Sequence, residues 1–272
     1  MAESTFSPAG KGTPAIEVRG LSIGYGSRVV LENLNFRIEP GQIVTILGGS
    51  GCGKSTLLKH IIGLYKPLRG DILVNGRSIV NAGEVEKRSI MSEFGVAYQG
   101  GALFRSLTLA ENIALPMEEL TTWKRDEIKR RVSEKLALVH LDGYESYMPS
   151  DLSGGMIKRA AFARALALDP KLLFFDEPSA GLDPLTSDML DNVILEIREK
   201  TQATIMMVTH ELPSIFRVSD RVIMLSAEKK GIVDDGAPAY LRDNSADSYV
   251  RSFLSRGGTF QSKRGGTEPD HG

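Results

Sequence analysis

The stretch Gly48-Gly49-Ser50-Gly51-Cys52-Gly53-Lys54-Ser55-Thr56 limits what this chain can fold into more than any other feature. It fits the pattern G-x-x-x-x-G-K-[ST]. An apolar run, Ile43 to Leu47, precedes it and reads as a buried strand; Leu57-Leu58-Lys59-His60-Ile61-Ile62 follows it and reads as a helix. Strand, glycine-rich loop and helix in that order form a phosphate cradle. Glycines let the backbone curl until successive N–H groups face one anion. The helix start adds its partial positive charge at the same spot. Lys54 is placed to reach the β- and γ-phosphates of a nucleotide, and the Ser55 hydroxyl to take a Mg²⁺ position. Without those flanks the same letters are a Gly-rich turn ending in Lys-Ser.

The chain has 272 residues, enough for one large α/β domain or two small ones. Hydrophobic residues make up 42% and charged residues 25%, as in ordinary globular proteins, and the net charge of −1 gives no global reason to expect nucleic acid as a partner. No apolar run approaches the roughly 18 residues of a membrane helix. Met1 to Pro14 lacks the apolar core of a signal peptide, so the chain is expected to stay in the cytoplasm unless a partner holds it at a membrane. Cys52 is the single cysteine, so no intrachain disulfide is possible. It fills a variable position of the loop, where a small-residue filler is the expected role.

Residues 1–14 and 257–272 are rich in Ser, Gly, Pro and Thr and read as unstructured tails. Between them, strands are expected at Ala15–Val18, Val29–Leu34, Ile43–Leu47 and Asp71–Val74, the last closing on an Asn75-Gly76 turn. A more helical region follows, from about Thr108 to Leu168. Apolar strands return at Leu172–Phe175, Ala203–Val208 and Arg221–Ser226. Buried strands ending in polar residues suggest an open α/β sheet with its ligand at the carboxyl ends. There is no internal repeat. Over Arg125–Leu141, Ile128, Val132, Leu136 and Val139 share one helix face, a core stripe by spacing. Lys124, Arg125, Lys129, Arg130 and Arg131 lie mostly opposite, interleaved with Asp126, Glu127 and Glu134, which reads as a solvated face of mixed charge.

Two further motifs carry chemistry. Leu172-Leu173-Phe174-Phe175-Asp176-Glu177 is a buried strand that delivers two carboxylates at its tip. Asp176 is placed to hold Mg²⁺, through water, and Glu177 to polarise an attacking water. In isolation it is only a solvated strand end. Leu152-Ser153-Gly154-Gly155-Met156 opens a second helix, with Ser153 as N-cap and two glycines exposing the first helical N–H groups. That is a second anion-binding helix start, built without a lysine.

With this third motif the chain resembles the ATP-binding cassette (ABC) family, whose signature is Leu-Ser-Gly-Gly-Gln. The resemblance covers about residues 15–256. It implies a P-loop α/β fold: a RecA-like core plus an antiparallel β subdomain, with an inserted helical subdomain at about residues 100–168. It also implies ATP and Mg²⁺ as ligands. Tyr25, in Gly24-Tyr25-Gly26, matches the aromatic that stacks on adenine; by itself it is also an ordinary strand-edge tyrosine. Gln99, in Val96-Ala97-Tyr98-Gln99, matches the glutamine that contacts Mg²⁺ or water and senses the γ-phosphate. Asp183, in Ala180-Gly181-Leu182-Asp183-Pro184, matches a dimer-contact loop. His210, in Val208-Thr209-His210-Glu211, matches the histidine that hydrogen-bonds the γ-phosphate. In this family two domains sandwich two ATP molecules head to tail, so Ser153, Gly154 and Gly155 are expected to act on the nucleotide of a second copy. Lys54, Glu177, His210 and Gln99 are the expected catalytic set, and Ser55, Asp176 and Gln99 the expected Mg²⁺ ligands.

The run Gln99-Gly100-Gly101-Ala102-Leu103-Phe104, continuing at Leu107-Thr108-Leu109-Ala110-Glu111-Asn112-Ile113-Ala114-Leu115-Pro116, looks like the ATPases of bacterial Mla/Mce-type lipid transporters. So do Met156-Ile157-Lys158-Arg159-Ala160-Ala161 and the run Tyr249-Val250-Arg251-Ser252-Phe253-Leu254. One departure is Gly100-Gly101, where the lipid-type pattern often has Ser-Gly. The resemblance implies ATP-driven phospholipid movement between inner and outer membranes. It also implies a peripheral position on the cytoplasmic face of the inner membrane. Its implied partners are a separate permease, an Mce-domain lipid-binding protein and a small STAS-type subunit. The alternatives are the ATPase of a polar-solute importer, for example of amino acids, and a soluble non-transport cassette ATPase.

Overall fold

In the computed structural model, which describes residues 12–255, alternation of buried and exposed side chains builds the first layer. In β1 (Ile16–Tyr25) and β2 (Arg28–Ile38) the residues Ile16, Val18, Leu21, Ile23, Leu31, Leu34, Phe36 and Ile38 point inward, with more exposed residues between many of them. This is the period-two pattern of antiparallel strands with one buried face. The hairpin is longer than the sequence suggests. Its strands run through Gly20 and Gly24, where a Cβ on Gly24 would lie 2.0 Å from the Arg28 carbonyl oxygen. The close crossing that glycine permits lets pairing continue to Tyr25 opposite Arg28.

β3 (Ile43–Gly48) is buried at every position and leads into α1 (Lys54–Ile61). Next come β4 (Arg69–Val74), β5 (Arg77–Ser78), α2 (Glu84–Met91) and β6 (Phe94–Ala97). Helices α3 (Leu109–Leu120), α4 (Arg125–Leu138) and α5 (Gly154–Ala165) occupy the stretch expected to be helical. They are followed by β7 (Leu172–Asp176), α6 (Pro184–Thr201), β8 (Thr204–Val208), α7 (Leu212–Val218), β9 (Arg221–Ser226), β10 (Gly231–Gly236), α8 (Pro238–Asn244) and α9 (Ser248–Ser255).

The strands form two sheets. One is antiparallel, in the order β2-β1-β4-β5; the other runs β10-β9-β3-β8-β7-β6 and is parallel except for β10. The parallel strands are continuous apolar runs because both faces are covered. On one face lie α1 and the antiparallel sheet, through Phe36, Leu57, Ile61, Phe174 and Met206. On the other lie α3 to α6, through Met117, Leu136, Phe162, Phe175 and Ile194. Phe174 meets Phe94 edge-on at 5.2 Å, and Phe175 stacks on Phe162 at 4.2 Å. Burying each such ring contributes about 1.5–3 kcal/mol, so β7 is gripped from both sides.

Helix α4 carries its apolar stripe where the spacing placed it: Ile128, Val132 and Leu136 are buried, as is Val139 just past its end. Its outer face is laced with ion pairs, Arg130 to Glu127 and Glu134, and Arg131 to Glu127 and Asp169. β5, β6, β10, α2, α6, α7, α8 and α9 were not read as elements in the sequence. β10 carries Asp234 and Asp235, poor strand formers, and is held by its ladder with β9 and by Arg221 on Asp235. The tails read at 1–14 and 257–272 lie outside the described residues, apart from 12–14.

Register decides where the loops converge. Ile46 pairs with Val208, Asp176 with Val208 and Ala97 with Phe175. The carboxyl ends of β3, β8, β7 and β6 are therefore level, and the segments beginning at Gly48, Thr209, Glu177 and Tyr98 leave the sheet side by side.

Candidate functional site

The loop from Gly48 to Gly53 needs glycine at its two ends. Gly48 has φ +154°, and a Cβ there would lie 2.6 Å from both Cys52 Sγ and the Leu225 carbonyl oxygen. Gly53 has φ +102°, and its Cβ would lie 2.8 Å from Val30 Cγ1. Gly53 is also the N-cap of α1. It offers no side-chain cap, and the first turn holds no acidic residue. The orphan N–H groups of that turn are thus left to a ligand, with no carboxylate in the turn itself to compete for them. Cys52 is buried, filling the space under Gly48, and burial pushes its thiol up, away from reactivity.

Lys54 Nζ donates to the Gly48 carbonyl at 2.8 Å and the Gly49 carbonyl at 3.1 Å, which holds the ammonium over the loop. The Ser55 hydroxyl reaches Asp176 Oδ1 at 3.5 Å, joining α1 to the tip of β7. Burial, and then the charge of Glu177, raises the Asp176 carboxyl above its usual range, and the Ser55 hydrogen bond pulls the other way. A carboxylate so placed gains from a bound cation. Among the described residues no group of three His, Cys, Asp or Glu side chains could hold a metal alone. The Ser55 hydroxyl and the Asp176 carboxylate, 3.5 Å apart, are oxygen donors of the kind that share Mg²⁺ with phosphate oxygens.

Glu177 is held in the left-handed region at φ +48°, at a cost of about 1–2 kcal/mol for a residue with a Cβ. Its N–H donates to the Val208 carbonyl at 2.7 Å, extending the ladder one residue past β7. Its carboxylate meets His210 Nδ1 at 3.0 Å from Oε1 and 2.9 Å from Oε2. One N–H serves one oxygen at a time, and Oε2 is buried with no hydrogen bond of its own. A buried acceptor of that kind is a ready partner for a water.

Tyr25 stands at the rim, half exposed, with its hydroxyl 3.1 Å from Thr56 Oγ1 and Tyr65 edge-on at 6.1 Å. Tyr65 in turn meets the buried His60 at 5.6 Å. Gln99 enters the network through its backbone carbonyl, which accepts from Lys158 Nζ. The loop after it is pinned by Asn112. This buried amide accepts from Phe104 N–H at 2.7 Å, and its two N–H donors are shared among the carbonyls of Phe104, Leu107 and Thr108 at 2.9–3.0 Å. Of the two glycines there, Gly101 is required, since its φ is +75° and a Cβ would lie 2.7 Å from Ile157; Gly100 has open space.

Ser153 caps α5, accepting from Met156 N–H at 3.4 Å, and Asp183 caps α6, accepting from Thr186 N–H at 3.0 Å. The two helix starts touch. A Cβ on Gly155 would lie 2.5 Å from Thr186, and one on Gly154 3.4 Å from Leu182. The structure therefore assembles two groups. Lys54, Ser55, Asp176, Glu177 and His210 converge at the carboxyl ends of the central strands, whereas Ser153, Gly154, Gly155 and Asp183 form a second surface. Among the described residues no hydrogen bond joins that second surface to the phosphate loop. Sequence reading missed Lys158, Asn112, Tyr65 and Asp191. The first three stand inside stretches where nothing but three-dimensional contact marks them.

Asp191 is buried on α6 with both oxygens facing the Ser214 hydroxyl of α7, at 2.7 and 2.9 Å. It ties the helix after Asp183 to the helix after His210. Burial pushes its carboxyl up to about 6, while the Ser214 hydrogen bond and Arg217 pull it down. With the folded value above the unfolded one, the native state holds the extra proton between the two values. Stability is thus fully present below about pH 4 and is lost as pH rises through about 6, by on the order of 3 kcal/mol in all. Asp191→Asn, measured by urea unfolding, is expected to gain on wild type by at least about 1 kcal/mol between about pH 5 and about pH 7.5. Parallel pH profiles for the two proteins would remove Asp191 from this role.

The family model described as ABC transporter matches residues 31–180. A Mycobacterium leprae protein named probable ribonucleotide transport ATP-binding protein mkl is 43% identical over 89% of this chain and 69% of its own length. The Haemophilus influenzae intermembrane phospholipid transport system ATP-binding protein MlaF is 37% identical over 88% of this chain and 89% of its own. An Escherichia coli O157:H7 Fe(3+) ions import ATP-binding protein, FbpC, is 36% identical over 90% of this chain and 68% of its own. Among solved structures, the dimeric post-hydrolysis state of the ATP-binding cassette MJ0796 bound to ADP and Pi superposes with a TM-score of 0.73. It is 27% identical and covers 82% of this chain and 98% of that one.

Proposed function

Because the chain belongs to the ABC transporter family and is its ATP-binding subunit, we propose that it powers phospholipid movement between the inner and outer membranes of a bacterium. The observation that carries this reading is the residue run at Gln99–Pro116, with Met156 in the signature position, in a chain related to MlaF along most of both lengths. The relatives named Fe(3+) ions import ATP-binding protein and probable ribonucleotide transport ATP-binding protein support a polar-solute importer as the second reading.

In the proposed cycle Lys54 and the first-turn N–H groups of α1 neutralise the phosphates, and Tyr25 offers a ring face to adenine. Ser55, Asp176 and Gln99 would hold Mg²⁺, which supplies positive charge against the β- and γ-phosphate oxygens. Glu177 orients the attacking water and takes its proton, while His210 keeps the carboxylate aimed. Ser153, Gly154 and Gly155, with Asp183, close the site of a second copy. The contact between the two helix starts supports this division, as does the dimeric state of MJ0796. The γ-phosphate would then act as glue between copies until hydrolysis removes it. Among the described residues no helix is long and apolar enough to cross a membrane; in the proposed system a separate permease provides the transport path.

The test is purification of the tagged full-length chain from host membranes, with identification of its partners and lipids. A multi-span permease, an Mce-domain protein and bound phospholipid are expected, with a small STAS-type subunit as a further candidate. Recovery of a solute-binding protein in place of the Mce-domain protein would move the assignment to the polar-solute importer.

A further inference from the structure

Lys158 lies on the second turn of α5, only 7% exposed. Its ammonium donates to two backbone carbonyls, that of Gln99 and, at 3.2 Å, that of Glu177. Burying an ammonium is costly unless its hydrogens are used. Packing alone would be served as well by an apolar side chain of the same length. What the charge secures here is the direction of two peptide groups, those of Gln99 and Glu177, brought together on one ammonium.

The backbone of Glu177 is fixed on both sides. Its N–H is committed to Val208, and its carbonyl accepts from Lys158 Nζ and, at 3.3 Å, from Ala180 N–H in the turn that follows. Its φ of +48° is one that a glutamate leaves readily unless its surroundings hold it. Relaxing that torsion would swing the carboxylate away from His210 and from the position of the water. The same ammonium holds the Gln99 carbonyl. Six residues further along α5, Arg164 holds the carbonyls of Gly101 at 3.1 Å and Ala102 at 2.7 Å. One helix therefore grips the Gln99 loop with two cations, and one of these also grips the base.

We propose that Lys158 is a positioning residue. It holds Glu177 in its left-handed conformation and ties that conformation to the Gln99 loop, so displacing the loop changes the rate of hydrolysis. This rests on the assignment of Glu177 as the base. Nothing in the role requires Lys158 to touch nucleotide.

The test uses the full-length chain, with ATP and Mg²⁺ as substrate, in three variants. Lys158→Met removes both hydrogen bonds and keeps the volume. Its kcat is expected to fall about tenfold to a hundredfold, the scale of a small misplacement of a catalytic group, with KM for ATP within about twofold. Lys158→Arg restores donors to both carbonyls and is expected to recover at least about half of kcat. Lys158→Gln, able to serve one carbonyl, falls between them and stands in if Lys158→Met does not fold. The proposal is overturned if Lys158→Met, or Lys158→Gln in its place, keeps wild-type kcat. It is also overturned if kcat falls only in step with Tm and Lys158→Arg gives no rescue. Glu177→Gln assayed alongside separates the two readings. Wild-type turnover in that variant removes the base itself, whereas an inactive Glu177→Gln beside a fully active Lys158→Met removes only the role of Lys158.

Discussion

Glu177→Gln is expected to bind ATP and form the two-copy sandwich but to turn ATP over about 10²- to 10⁴-fold more slowly, the usual contribution of a general base. The substitution keeps shape and burial, and Gln can still accept from His210 Nδ1 where Glu177 does at 3.0 Å. What it loses is a place for the proton of the attacking water. Because Asp176 and Ser55 are untouched, nucleotide affinity is expected to stay near wild type. Single-turnover hydrolysis, nucleotide binding and size-exclusion chromatography with ATP check the three parts separately. Turnover near the wild-type rate would mean that another group takes the proton.

Lys54→Ala acts one step earlier. The ammonium is poised by the carbonyls of Gly48 and Gly49, over the loop where the phosphates would lie. A hydrogen bond to a charged group contributes about 1.5–3 kcal/mol. Loss of Lys54 is therefore expected to weaken ATP binding by about tenfold to more than a hundredfold and to abolish hydrolysis. It also frees the loop from its own side-chain tie. Transport should stop together with binding; phospholipid movement that persisted in cells carrying Lys54→Ala would disqualify this chain as the motor.

Much of the scaffold was legible in the sequence because its signals are local. The central strands β7 and β8 announce themselves as apolar runs, and α4 by its 3.6-residue stripe through Ile128, Val132 and Leu136, whereas the four-residue β6 carries too short a signal. The phosphate loop is legible because its glycines answer to steric facts at Gly48 and Gly53 that no other residue satisfies. β10 was missed since Asp234 and Asp235 are poor strand formers, rescued by Arg221 from the neighbouring strand. Lys158 and Asn112 were missed for a related reason. Their partners are backbone carbonyls and N–H groups, which every sequence possesses and none advertises. Asp191 reads as one more polar residue on α6 until α7 folds over it and excludes water.

The level register of β7 and β8 has an evolutionary consequence. Asp176 pairs with Val208, so Glu177 and His210 each leave the sheet one or two residues beyond a shared rung. An insertion or deletion of one residue in either strand would turn every later side chain of that strand to the opposite face. It would part the carboxylate from the imidazole even with both residues present. Drift in this region is thus confined to substitution, and length changes have to accumulate elsewhere, in loops that no rung of the ladder measures.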